Sequence, residues 1–196
     1  MKLPLSFYRQ SDVVAVAKEL IGKQLFSTID NKTTGGIIIE TEAYRGPEDK
    51  ACHAYNNRRT PRTEVMFQNG GIAYVYFCYG MHHLLNIVTS VEGEPHAILI
   101  RALQPTHGLE TMAERRNKKP DSPLLANGPG ALCQALGITR AHNGHSLLSS
   151  LLWLEEAKSP ISSSRIKATP RIGIDYAGED AALPWRFILD NLAKSN

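Results

Sequence analysis

The run Gly36-Ile37-Ile38-Ile39-Glu40-Thr41-Glu42-Ala43-Tyr44-Arg45-Gly46-Pro47 constrains this chain more than any other stretch. Three consecutive β-branched residues read as a buried strand. The strand then runs straight into Glu-Thr-Glu and an aromatic. Side chains alternate along a strand, so Glu40, Glu42 and Tyr44 share one face, with Ile39, Thr41 and Ala43 on the other. Two carboxylates and a phenol at the mouth of a core strand are costly to bury unless they do chemistry. A strand end with both glutamates in water fits the pattern equally well. Gly46-Pro47 stops the strand.

The strand needs partners. Gln24–Ile29 is a strand followed by the turn chemistry of Asp30-Asn31-Lys32, so the two runs form a hairpin that presents Glu42 at its exit. Ahead of it, Ser11 is placed to cap a helix over Asp12–Ile21 that Gly22 stops. Ile72–Tyr79 and His83–Ser90 make a second hairpin around Gly80-Met81-His82. A three-residue loop there pairs Tyr79 with His83 and sets Tyr76 opposite Asn86 on one face, whereas a two-residue loop sends Asn86 to the other side, so three residues or a bulge are expected. Tyr79 sits at the tip with Met81 beside it, a candidate wedge for a base stack; the bland alternative is a core tyrosine near a turn.

Residues 45 to 71 have little periodicity, and a loop that long is functional or disordered. It carries Cys52-His53 and then Arg58, Arg59 and Arg62, which read as a phosphate-contacting cluster or as a solvated basic loop. Ala97–Leu103 is a buried strand interrupted by Arg101, which needs a carboxylate, and Glu42 is the partner expected. Gly108–Arg116 is a short helix. A second begins at Asn127 with Pro129 in its first turn, where Gly128 and Gly130 would let a phosphate approach free amides. Leu147–Ala157 is strand or core and Ile161–Thr169 a Ser-rich loop, while Arg171–Gly178 and Pro184–Leu189 close the sheet.

Composition narrows the class. A chain of 196 residues with 42% hydrophobic content suggests one domain with a proper core. The formal net charge of +3 permits a polyanionic partner without requiring one. No apolar secretory core follows Met1 and no run approaches membrane-spanning length, so a non-secreted protein off the membrane is expected. Three cysteines without a CxxC pair suit reduced thiols in the cytoplasm. A zinc site from Cys52, His53, Cys78, His82 and His83 fits no standard spacing, so no metal is expected. His96, His107, His142 and His145 read as surface or loop residues.

Taken together, Glu-Thr-Glu-Ala-Tyr, the loop histidine, Thr-Pro-Arg, the Tyr-Val-Tyr…Tyr-Gly-Met hairpin and Asn-Gly-Pro-Gly resemble the alkyladenine (3-methyladenine) DNA glycosylases. Each motif alone is weak; their order and spacing, from the first helix to Phe187, is specific. The resemblance implies a single-domain α/β (α+β) fold, with flanking helices and a curved, mostly antiparallel sheet whose hairpin enters the DNA minor groove. It implies a monofunctional N-glycosylase of base excision repair, acting on duplex DNA with damaged purines: 3-methyladenine, 7-methylguanine, and hypoxanthine or ethenoadenine. Carried over by position, Glu42 is the base for the attacking water and Arg101 lies beside it. Tyr44, His53 and Tyr76 sandwich the flipped base, Asn86 clashes with the exocyclic amine of guanine, and Tyr79 fills the gap in the helix. No cofactor is implied, and a monomer in the bacterial nucleoid or a nucleus is expected.

Two departures stand out. Gly130-Ala131 replaces the family's usual Gly-Lys, removing a phosphate contact, and His82 replaces an aromatic after Gly-Met. Two other function classes fit parts of the pattern. One is a sugar or nucleoside hydrolase using the Glu40/Glu42 pair; the other is a non-catalytic DNA-shape binder.

Overall fold

The architecture is α+β, and its central strand is the one that carries the glutamates. The computed structural model describes residues 1–190. Strand β1 (Gln24–Ile29) turns into the 14-residue β2 (Lys32–Arg45) through Asp30 and Asn31. Both turn residues have positive φ, 55° and 57°, the primed geometry whose twist matches two antiparallel strands.

Strands β3 (Ile72–Cys78), β4 (His82–Thr89) and β5 (His96–His107) follow, then β6 (Leu152–Glu155), β7 (Ile166–Thr169) and β8 (Arg186–Leu189). The sheet order is β3-β4-β5-β2-β1-β6, antiparallel throughout. Strand β5 lines one edge of β2. The other edge is shared: β1 pairs with the first half, and β8, backed by β7, pairs with Glu40–Glu42.

The two faces of the sheet are covered differently. Helices α1 (Leu5–Tyr8), α2 (Val13–Glu19), α3 (Leu109–Arg116) and α4 (Pro129–Leu136) supply the flanking layer. Val13, Val16, Leu132 and Leu136 pack with Ile38, Ala43, Ile98 and Ile100 in the main core. Thr41 Oγ1 donates to the Ala17 carbonyl at 2.8 Å, fixing that side of β2 against α2. On the other face the segment after Gly46 folds back through 3-10 turns at Tyr55–Asn57 and Glu64–Phe67. Its Cys52, Ala54, Val65, Met66 and Phe67 bury Tyr74, Val88 and Ala97. The long segment without periodicity is therefore a packed cover, held by its own apolar cluster.

Several expectations shift. The cap of α2 is Asp12, whose carboxylate accepts from the Val14 and Ala15 amides, rather than Ser11. The Ser-rich run ends in strand β7. Arg171–Gly178 does not enter the sheet; it lies across the second face and leads into 3-10 structure at Asp175–Ala182. His96 is buried on β5, where burial holds its imidazole below the usual range, and is no surface residue. Leu147 is core and β6 follows it, as read. No helix among the described residues is long and apolar enough to cross a membrane.

Candidate active site

One row of residues crosses the second face of the sheet. In register from β3 to β8 it reads Tyr74, Asn86, Leu99, Glu42 and Arg186. Strands lie about 4.8 Å apart, so Glu42 and Asn86 stand roughly 10 Å apart across the floor. A cavity of about 240 Å³ opens above this row, lined by Glu42, Tyr44, His53, Tyr76, Asn86 and Arg101 among others.

Glu42 is 0% exposed. A buried carboxylate needs donors, and three converge here. The Tyr44 hydroxyl donates to Oε2 at 2.8 Å, the Ile172 amide donates to Oε1 at 2.8 Å, and Arg101 Nη1 lies 3.3 Å from Oε1. Burial first, then the Glu42 charge, pushes the Tyr44 phenol well above its ordinary range, so it stays a donor.

Arg101 divides its guanidinium between the two glutamates. The β2–β5 register shifts on either side of Glu40: Ile38 pairs with Leu103, Glu40 with Ala102 and Thr41 with Ile100, leaving Arg101 without a partner. Such irregularities re-aim side chains. Arg101 Nε donates to Glu40 Oε1 at 2.8 Å, closer than its contact with Glu42, and Arg186 Nε donates to the same oxygen at 2.6 Å. The expected Arg101–Glu42 pair exists, but Glu40 holds the shorter bond. Glu40 is held by two arginines and is not among the residues lining the cavity.

A residue set invisible in the sequence closes the site. Arg171 and Asp49 form a fully buried ion pair, with Nη1–Oδ2 2.5 Å and Nη2–Oδ1 2.8 Å. Arg171 also donates to the Ala43 carbonyl and lies 4.8 Å over the Tyr44 ring. This clamp delivers the Ile172 amide to Glu42.

The opposite wall is aromatic. His53 and Tyr76 meet edge to face at 4.8 Å, and Tyr74 tilts against Tyr76 at 5.4 Å. His53 and Tyr76 thus meet as perpendicular neighbours rather than as parallel plates. Arg62 donates to His53 Nε2 at 3.1 Å, so the neutral ring carries its proton on Nδ1 and gives it to the Tyr74 hydroxyl, 2.9 Å away. Burial, with the Arg62 charge second, pulls the His53 imidazole down to about 4. Asn86 is buried and donates to the Tyr74 carbonyl at 3.2 Å.

The hairpin tip rises beside the cavity. Its loop has three residues as expected, but they are Tyr79, Gly80 and Met81: Cys78 pairs with His82, Tyr76 with Leu84 and Tyr74 with Asn86. Tyr76 and Asn86 still share a face. Tyr79 is 87% exposed at φ 51°, and Met81 is exposed with it. His82 packs on the start of α4; a β-carbon at Gly130 would sit 2.8 Å from the His82 ring. Gly128, at φ 104°, caps that helix.

The arginine cluster is mostly engaged. Arg59 makes two bonds to Glu64, at 2.7 and 2.8 Å, and covers Phe67. Arg62 lies 4.6 Å over the Tyr76 ring. All three arginines are exposed, but Arg58 is engaged by neither a carboxylate nor a ring among the described residues. Among the described residues no three His, Cys, Asp or Glu side chains converge as a metal site.

The sequence matches the family model described as Methylpurine-DNA glycosylase over residues 6–193. The chain belongs to the methylpurine-DNA glycosylase family. A relative from Chlamydia felis, named "Putative 3-methyladenine DNA glycosylase", is 55% identical over 195 residues, 98% of each chain. A relative of the same name from Chlamydia abortus is 53% identical over 95% of this chain and 97% of its own. One from Bacillus cereus is 48% identical over 95% of each. As a methylpurine-DNA glycosylase family member, the protein is a hydrolase of the N-glycosyl bond whose substrate is DNA.

Proposed function

We propose that this glycosylase excises cationic alkylated purines, 3-methyladenine and 7-methylguanine foremost, from duplex DNA through a water activated by Glu42. The observation that carries the reading is a carboxylate with no solvent exposure at the floor of an aromatic cavity, beside an exposed tyrosine tip.

Extruding a nucleotide costs a few kcal/mol, less at a damaged pair. Tyr79 offsets part of that by entering the vacated stack, and Met81 supports it. The extruded purine lies against Tyr76 and His53 on one side and Tyr44 on the other; aromatic stacking contributes about 1–3 kcal/mol per base, and a cationic purine gains further over π faces. Asn86 fills the space that the exocyclic amine of normal guanine would need. Exposed Arg58 and the Gly128–Gly130 helix start contact the backbone. Arg59 and Arg62 act within the protein instead, bracing the segment that carries His53.

N3- or N7-alkylated purines leave without a proton donor. Cleavage then needs only the stabilisation of a cationic sugar and one activated water. Glu42 supplies both: its charge faces the developing oxocarbenium, and it takes the proton as water attacks C1′. Tyr44 and Arg101 hold it in place. His53, neutral at physiological pH, is a poor acid, so hypoxanthine and ethenoadenine leave more slowly. No lysine lines the cavity among the described residues, which suits water rather than an amine as nucleophile. The protein acts as a monomer where chromosomal DNA lies.

The test is incubation with duplexes carrying each lesion and with the matching free nucleosides, scoring abasic sites and released base. Release from 3-methyladenine duplexes, with nucleosides untouched, supports the reading. Nucleoside cleavage without duplex cleavage selects a nucleoside hydrolase, and tight lesion binding without any release selects a passive binder.

A further inference from the structure

The node formed by Glu40, Arg101 and Arg186 lies outside the base cavity, yet it reaches the carboxylate at the cavity floor. One oxygen of Glu40 accepts from both Nε atoms, at 2.8 Å from Arg101 and 2.6 Å from Arg186. All three side chains are largely withdrawn from solvent. With its Nε tied to Glu40, Arg101 is left to turn Nη1 toward Glu42 at 3.3 Å. Glu40, Glu42, Arg101 and Arg186 make a neutral set, two acids against two bases. Among the described residues, the other charged or titratable groups around Glu42 are Tyr44 on β2, Tyr76 on β3, and Arg171, itself matched by Asp49.

We infer that Glu40 is a positioning residue for excision, fixing Arg101 against Glu42 while Arg186 balances its charge. The inference rests on Glu42 acting as the base. Two consequences separate it from a merely structural role. Glu40→Gln keeps an acceptor but leaves one positive charge over, which favours negative charge nearby and opposes the cationic sugar. Arg186→Met leaves one negative charge over and acts in the opposite sense. The two variants therefore move the acid limb of the pH–rate profile in opposite directions.

The experiment is single-turnover release of 7-methylguanine from a duplex between pH 4.5 and 8, for wild type, Glu40→Gln, Glu40→Asp and Arg186→Met. Thermal melts and lesion-duplex Kd are measured alongside. Expected are a plateau rate about tenfold lower for Glu40→Gln with Kd within about threefold, an acid limb moved down for Glu40→Gln and up for Arg186→Met, and an unmoved limb for Glu40→Asp. An active wild type whose limb is unchanged in Glu40→Gln, or shifts the same way in both charge variants, overturns the inference alone. If Glu40→Gln does not fold, an Arg186→Met limb that fails to rise overturns it. A wild type that releases no base overturns the parent reading and this one together.

Discussion

The hydroxyl of Tyr44 donates to Oε2 of Glu42 across 2.8 Å, two residues further along the same strand. Tyr44 is thereby both a wall of the base cavity and a donor to its buried carboxylate. Tyr44→Phe keeps the ring and removes the bond. A hydrogen bond to a charged group contributes about 1.5–3 kcal/mol. Single-turnover excision is expected to fall about tenfold or more, with lesion-duplex affinity nearly unchanged. An equal loss in both quantities would show that the hydroxyl contacts the base instead.

Tyr79 holds a left-handed backbone conformation at the exposed tip. That conformation costs a non-glycine residue about 1–2 kcal/mol, so Tyr79→Gly is expected to leave the melting temperature equal or slightly higher. Excision from a fully paired duplex should fall at least tenfold, and excision from a mispaired lesion, which extrudes more easily, should fall less. Melting curves and paired single-turnover assays check both halves.

The Arg171–Asp49 pair is buried on both sides. Removing one partner from such a pair costs about 3–5 kcal/mol. In a chain of this size that lowers the melting temperature by roughly 6–20 °C. Asp49→Asn and Arg171→Met should each show the loss, and the double variant should lose less than their sum. Excision should fall too, because the Ile172 amide leaves Glu42.

His53 titrates at about 4 in the fold, against roughly 6.5 in an unfolded chain. Above 6.5 the ring is neutral in both states and its contribution to stability is complete. As pH falls from 6.5 toward 4 the unfolded state takes up the proton first, so stability declines across that window. Urea midpoints at pH 7 and pH 5 should differ in that direction in wild type and less so in His53→Gln. Removing the Arg62 charge with Arg62→Met should raise the His53 midpoint, as read by imidazole proton shifts.

The strand that presents Glu42 and Tyr44 was legible because period-2 alternation fixes which side chains share a face, whatever the partner strands do. Asn86 joined them on parity alone. The hairpin register differs from the expected one by a residue on each strand because Tyr79 takes a positive φ, which steric rules disfavour for a tyrosine, and so opens the loop. In sequence Arg101 needs a carboxylate, and the β2–β5 irregularity gives its shorter bond to Glu40. Arg59 and Arg62 read as a phosphate-contacting cluster or a solvated loop because no periodicity shows that Glu64 and Tyr76 engage them. The contact of Ile172 with Glu42 spans 130 residues, and that of Arg171 with Asp49 spans 122. No periodicity or motif encodes separations of that kind; the packing of a segment outside the sheet creates them.

The central claim concerns the acid of residue 42, and Glu42→Gln addresses it with almost no change of shape. Single-turnover release of 3-methyladenine from duplex DNA should drop by at least a thousandfold, while the variant binds the lesion duplex as tightly as wild type. Release within tenfold of wild type by a folded, lesion-binding Glu42→Gln protein would contradict the account.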